Sequence, residues 1–187
     1  NRQIGASRWL IAASNSGRLG RHREVVELTR RGLDCFGSLS DAWLKGQLLN
    51  SMGLALARTR QSELARSTLE KASSTLAPEY ENKAANVAQS NLCFLKFRVL
   101  KEVRAAELCY AELLQTAQSV GDGEGEVRYL NMLAGTLSER GQAREALVHL
   151  DRAYAHSSGQ RSDRLHADIA RTRALVLSRL GRFQEAL

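Results

Sequence analysis

Proline is almost missing from this chain: Pro78 is the single one in 187 residues, and aromatic residues make up only 5%. Because proline breaks helices, its scarcity over such a length favours helical structure. Hydrophobic residues still account for 43% of the sequence, which excludes a disordered or collagen-like chain. These proportions predict a folded, mainly helical protein.

Long apolar runs and a cysteine framework are also absent. No stretch approaches the roughly 18 apolar residues that span a bilayer, and the N-terminal sequence NRQIGASRWL lacks the layout of a signal peptide. The cysteines Cys35, Cys93 and Cys109 are odd in number and widely spaced. This pattern argues for buried core residues in a reducing compartment rather than for disulfides. We therefore expect a soluble, cytoplasmic protein with no membrane partner.

The motifs of conventional catalytic and cofactor sites are missing as well. The chain contains no HExxH, CxxC, GxSxG or phosphate-loop motif. His149 and His156 are seven residues apart, but two imidazoles without a third ligand make a poor metal site. The stretch GDGEGE lacks the spaced oxygen ligands of a calcium loop. We expect no enzyme activity, no metal and no cofactor.

The chain does contain an internal repeat. Superposing Ala65, Ala106 and Ala146 brings five windows into register: 6–45, 46–86, 87–126, 127–166 and an incomplete 167–187. A fixed period of roughly 40 residues means that each repeat is one supersecondary element that cannot bury its apolar face alone. The sequence therefore predicts a single domain, 1–187, of stacked repeats. Because the last repeat stops short, it also predicts a fragment of a longer protein.

The fourth repeat shows the helical pattern most clearly. Leu130, Leu133 and Leu137 form one stripe of an amphipathic helix. Gly141 ends that helix, since glycine can adopt the left-handed conformation of a helix C-terminus, and a second antiparallel helix follows. Glycines take the same place in two other repeats, Gly20 and Gly181.

Each repeat is thus predicted to form two helices. The first helices lie near residues 4–18, 41–59, 79–99, 124–140 and 162–180. The second helices lie near 21–36, 61–77, 102–120, 142–157 and from 182 onward. The predicted N-caps are Ser40 or Asp41, Asp122 and Ser162, because short polar side chains accept hydrogen bonds from free backbone amides at helix starts.

These repeats resemble the tetratricopeptide repeat (TPR). The resemblance is carried by small and apolar residues of the fourth repeat (Leu130, Leu133, Leu137, Ala146, Leu150, Ala153) and of the second (Leu49, Met52, Gly53, Leu56, Ala65, Leu69, Ala72). The third repeat departs from the pattern, with Phe94 at a small position and Lys101 at the turn glycine. The period exceeds the common one of about 34 residues, as in the long-helix subclass of kinesin light chains, Leu-Gly-Asn-repeat adaptors and bacterial regulator sensor regions. The resemblance implies an all-α, right-handed superhelical array of antiparallel helix hairpins.

The resemblance also implies that fixed positions of the first helices line a concave groove. Among them are small and apolar residues (Leu10, Ser14, Gly17, Leu54), three asparagines at one place in consecutive repeats (Asn50, Asn91, Asn131) and six arginines (Arg18, Arg58, Arg98, Arg128, Arg171, Arg179). Carboxamides in a row can hold the backbone of an extended peptide. Arginine forks bind carboxylate or phosphate. The alternative is structural: the asparagines cap or bridge neighbouring helices, and the arginines are solvated.

The sequence accordingly predicts a non-catalytic module that binds a protein or peptide, in particular an extended acidic segment. The net charge of +7 agrees with an acidic partner. The alternative is an effector-sensing regulatory region of a multidomain bacterial transcription or signalling protein, which takes a small anionic effector. The long period and the lack of stacking aromatics in the groove argue against nucleic acid. Self-association through exposed ends of the stack is a further expectation.

Overall fold

The computed structural model describes residues 2–36, 41–76, 83–157 and 163–185. Within these ranges the chain forms nine α-helices and one short 3-10 helix, and no strand. The helices are α1 (Arg2–Arg18), α2 (His22–Asp34), α3 (Ala42–Arg58), α4 (Ser62–Leu76), α5 (Lys83–Arg98), α6 (Val103–Ser119), α7 (Gly123–Glu139), α8 (Ala143–Ser157) and α9 (Asp163–Arg179), followed by the 3-10 helix Phe183–Glu185.

The helices belong to two compact units, Asn1–Lys101 and Glu102–Leu187, which we call the first and second unit. In the first unit α1 packs on α2 and α3 on α4, and each pair also contacts the next helix along the chain. In the second unit α7 packs on α8 in the same way, between α6 and α9. Short connections make the paired helices antiparallel. The predicted all-α array of helix hairpins is confirmed, while the division into one domain of five repeats stays a prediction.

The turns after the first helices share one backbone conformation. The φ angle is positive at Gly20, Arg60, Lys101, Gly141 and Gly181, between 60° and 83°. At four of these turns the amide of the next residue donates to the carbonyl five positions before it, at 2.9 to 3.0 Å. This is the glycine-type C-terminal motif of a helix. It is confirmed at the three predicted glycines and extends to Arg60, while Lys101 shares the positive φ angle.

Aspartates begin two of the first helices. The Leu44 amide donates to Asp41 Oδ1 over 2.9 Å, and the Gly125 amide donates to Asp122 Oδ1 over 3.1 Å. Both predicted N-caps are therefore confirmed, since each carboxylate satisfies a backbone amide that has no partner within its helix. The other candidates, Ser40 and Ser162, lie outside the described residues.

Glycine allows α3 and α4 to approach each other closely. A Cβ placed on Gly53 would lie 2.6 Å from Cγ and 2.8 Å from Cδ2 of Leu69, a fully buried side chain. Carbon atoms pack at about 3.5 to 4.0 Å, so no side chain fits at this position. The small residue of the TPR-like pattern is thus explained by the interhelical distance.

The cysteines differ from the expectation. Cys35 is a free thiol, but Cys93 and Cys109 are buried and disulfide-bonded. The prediction that all three are unpaired core residues is therefore wrong for two of them. Among the helices of the described ranges, none is long and apolar enough to span a membrane.

Candidate functional site

An open cavity of about 800 Å³ lies against α1, α2 and α3 in the first unit. We call it the first groove. Its apolar lining is formed by Leu10, Ile11, Ala13, Val25, Leu54 and Ala55, and its polar lining by Ser14, Asn15, Arg18, His22, Ser51 and Arg58, with Gly17. Six of the positions that the TPR resemblance assigns to a groove line this one cavity: Leu10, Ser14, Gly17, Arg18, Leu54 and Arg58.

The helical geometry explains how these residues meet. Leu10, Ser14 and Gly17 are three or four residues apart in α1 and therefore share a face, as do Leu54 and Arg58 in α3. Because α1 and α3 contact each other, the two faces border one space. The result is an apolar floor with a basic residue at the last position of each helix.

The two arginines of the first groove are exposed, and neither pairs with a carboxylate within the described part of the chain. Arg18 donates a hydrogen bond to Asn15 Oδ1 in the same helix. The guanidinium carbon of Arg58 lies 5.7 Å from the centre of the Phe94 ring, a cation–π contact. Both contacts restrict the side chains without neutralising them, so the positive charge stays available to an anion.

The asparagines at the shared groove position differ in their environment. Asn50 is only 8% exposed, and Asn91 Nδ2 donates to Asn50 Oδ1 over 2.8 Å, which links α3 to α5. Asn131 in the second unit is 4% exposed, and its Oδ1 has no donor among the described residues. The Asn50–Asn91 bond is the helix-bridging arrangement, and Asn50 does not line the first groove.

The remaining predicted arginines have other partners. In the second unit Arg128 pairs with Glu124, Arg171 with Asp168 at 3.1 Å, and Arg179 with Glu139. Arg179 also donates to Ser138 Oγ at 3.0 Å. In the first unit the guanidinium carbon of Arg98 lies 5.8 Å from the Phe97 ring centre. The charges of the three second-unit arginines are therefore offset locally, whereas Arg18, Arg58 and Arg98 keep theirs.

Sequence reasoning missed several residues of the first groove. Ile11, which is 62% exposed, lines the groove outside the assigned positions, and a single exposed apolar residue gives no signal in the sequence. His22 and Val25 come from α2, whereas the resemblance assigns only first helices to the groove. Asn15 precedes Arg18 by three residues, and this spacing could have indicated their hydrogen bond.

The described residues contain no group of three or more His, Cys, Asp or Glu side chains that could hold a metal ion. The first groove combines an apolar floor, two arginines and hydroxyl groups.

Comparison with known proteins supports this view of the fold. No family model and no curated protein matches the chain. A solved structure of the putative kinesin light chain of Podosopora anserina, with nearly identical TPR-like repeats, is 15% identical, with a TM-score of 0.77 over 100% of this chain and 91% of that one. BtubC (BKLC) from P. vanneervenii is 21% identical, with a TM-score of 0.75 over 99% and 85% of the two chains.

A third structure is more distant. YrrB, described as a TPR protein with an unusual peptide-binding site, is 16% identical, with a TM-score of 0.55 over 96% of this chain and 79% of that one. At these identities the similarity establishes the fold. The chain therefore has a TPR-like fold, as the residue pattern indicates, and its structural neighbours are repeat proteins rather than enzymes.

Proposed function

We propose that this chain is a non-catalytic module that binds an extended, acidic protein segment, and that the first groove is its principal contact site. The observation that carries the proposal is the pairing of an apolar floor with Arg18 and Arg58, which have no carboxylate partner among the described residues. A TPR-like fold supports it, because such repeat arrays present long surfaces to other proteins.

The chemistry of the first groove selects the ligand. Its volume of about 800 Å³ falls within the usual range of roughly 300 to 1,000 Å³ for ligand sites. Leu10, Ile11 and Leu54 offer apolar contact to a large aliphatic or aromatic side chain. Arg18 and Arg58 offer planar forks that bind carboxylates bidentately. A segment with an apolar residue next to glutamate or aspartate satisfies both parts of the site.

The asparagines have different roles in this proposal. Asn50 and Asn91 hold α3 and α5 together and so stabilise the surface on which Leu54 and Arg58 lie. Asn131 lies in the second unit and is only 4% exposed, so its contact with a ligand stays a prediction. Arg98 extends the positive surface, and the paired arginines Arg128, Arg171 and Arg179 contribute less.

The test is charge reversal of Arg18 and Arg58 to glutamate, with a labelled peptide of alternating leucine and glutamate as the probe. Fluorescence anisotropy should show at least a tenfold loss of affinity, or about 1.4 kcal/mol. Arg8→Glu is the matched control, because Arg8 is an exposed arginine of α1 outside the groove lining, and it should bind as the parent does. Equal affinity of the double variant and the parent contradicts the proposal.

A small anionic effector is the second candidate ligand, because the groove also has the volume of a small-molecule site. With such a ligand, the chain would be the effector-sensing region of a bacterial transcription or signalling protein. Calorimetric titration with a medium-chain fatty acid separates the two: binding of the acid with no binding of the peptide favours the effector.

A cytoplasmic location and self-association through stack ends stay predictions.

A further inference from the structure

Positive charge is concentrated at the hairpin turns of the first unit. Residues 18–24, 58–63 and 98–101 contain seven basic side chains, namely Arg18, Arg21, Arg23, Arg58, Arg60, Arg98 and Lys101. The same residues include two acidic side chains, Glu24 and Glu63, and a third, Glu102, follows Lys101 directly. Because α1, α3 and α5 all end at these turns, the basic residues share one edge of the helix layer. We call them the turn edge.

Several of these charges have no internal partner. Glu24 pairs with Arg21 at 3.7 Å, and Glu63 pairs with Arg66, outside the turn, at 3.8 Å. The side chains of Arg23, Arg60 and Lys101 are exposed and make no hydrogen bond or ion pair with any described residue. These three cations are therefore accessible to a partner and are not neutralised by any described residue.

Two of them also occupy an unfavourable backbone conformation. Arg60 and Lys101 have φ angles of 63° and 60°, at the position that glycine occupies in the turns at Gly20, Gly141 and Gly181. A residue with a Cβ in the left-handed region is disfavoured relative to glycine. Both residues that stand in place of glycine carry a positive charge. Strain that is retained at a chemically specific residue points to a function of that residue.

We propose that the turn edge is a second binding surface, which adjoins the first groove at Arg18 and Arg58 and takes a run of glutamates or aspartates of a protein partner, with Arg60 and Lys101, neither of which lines the groove, as contact residues. Six of its seven basic residues are arginines, whose forks fit carboxylates. These described turns present no exposed aromatic side chain on which a nucleic-acid base could stack. Their one large exposed apolar side chain is Leu19, which gives little to insert into a bilayer.

The experiment uses the double variant Arg60→Gly, Lys101→Gly and a labelled polyglutamate peptide. Glycine suits both backbone positions, so the variant should unfold at the same temperature as the parent or higher. Its affinity for polyglutamate should nevertheless fall about fivefold to tenfold, as expected for the loss of two surface ion pairs. The dependence of the dissociation constant on salt should weaken, because fewer charges are neutralised. Unchanged affinity in the more stable variant overturns the proposal.

Controls separate the turn edge from net charge and from the first groove. Lys45→Gln, Lys71→Gln removes two exposed charges outside the turns and should leave polyglutamate binding intact; an equal loss means that only total charge matters and overturns the proposal. Leu54→Gln should weaken the leucine–glutamate peptide but not polyglutamate. Binding of duplex DNA or anionic vesicles that is lost in the glycine variant, with no binding of polyglutamate, also rules out an acidic protein partner.

Discussion

Replacing Gly53 by alanine tests the close packing of α3 on α4. Alanine is favoured over glycine in a helix interior by roughly 1 kcal/mol, so the helix alone would gain stability. The new Cβ, however, would lie 2.6 and 2.8 Å from two carbons of Leu69 and 3.4 Å from its backbone nitrogen. Leu69 is fully buried and cannot swing into solvent. Overpacking costs about 1 to 3 kcal/mol, and with two contacts below 3.0 Å we expect a net loss of about 1 to 2 kcal/mol.

A double-mutant cycle identifies the cause of that loss. Leu69→Ala alone should lower the free energy of unfolding by about 2 to 5 kcal/mol, through lost burial and a cavity. In that background the Cβ of Gly53→Ala has room, so it should no longer destabilise the protein. Urea unfolding of the four proteins, followed by circular dichroism, should give a coupling energy of about 1 to 3 kcal/mol.

Gly17→Ala is the matched control. A Cβ on Gly17 meets only Val25 Cγ2, at 3.8 Å, which is an ordinary contact. The variant should therefore be neutral, or more stable by up to about 1 kcal/mol. The packing argument is refuted if Gly53→Ala behaves like Gly17→Ala, or if its effect is the same with leucine and with alanine at position 69.

Three further predictions concern a cap, a bridge and a titrating group. Asp122→Ala removes the N-cap of α7 and should lower stability by about 1 kcal/mol in thermal unfolding, with Asp122→Asn largely restoring it. Asn91→Ala leaves buried Asn50 without its donor, so urea unfolding should show a loss of about 1 to 3 kcal/mol. Burial and then Arg152 lower the pKa of His149; the unfolded chain therefore binds this proton more tightly, and stability should fall as pH drops below about 6.5. His149→Gln should reduce that fall in melting curves recorded at successive pH values, and an unchanged slope contradicts the assignment.

The helix hairpins could be predicted because their signals are local. Gly141 ends an apolar stripe, and the structure has a left-handed turn there. Arg60 and Lys101 could not be assigned that conformation from residue type, since residues with a Cβ rarely adopt it. The φ angle of Arg60 is set by the hairpin, in which α4 packs back on α3. From residue type Lys101 is a departure from the pattern, although its φ angle of 60° matches those of the turn glycines.

For the candidate site, the sequence could predict which side chains share a helix face but not which contacts they make. The repeat register places Arg18 and Arg58 at equivalent positions, and the structure gives them a common cavity. The same register places Asn50 and Asn91 together but cannot decide whether they bind a ligand or each other. That choice depends on side-chain conformations and on the distance between α3 and α5. Likewise, the pairing of Arg179 with Glu139 joins residues 40 positions apart, which helical periodicity within one segment does not reveal.

Under the proposed function, the distribution of paired and unpaired arginines favours the first unit as the binding region. Exposed ion pairs such as Arg171–Asp168 contribute only about 0 to 1 kcal/mol to stability, so their main effect is to cancel charge in the second unit. In the first unit Arg18, Arg58 and Arg60 lack a carboxylate partner within the described ranges, and Arg60 occupies a strained turn besides. If stability alone determined the sequence, glycine would be favoured at position 60, and carboxylates could stand beside Arg18 and Arg58. The first unit therefore combines accessible charge, an apolar cavity and retained strain, and an acidic partner is expected to bind there first.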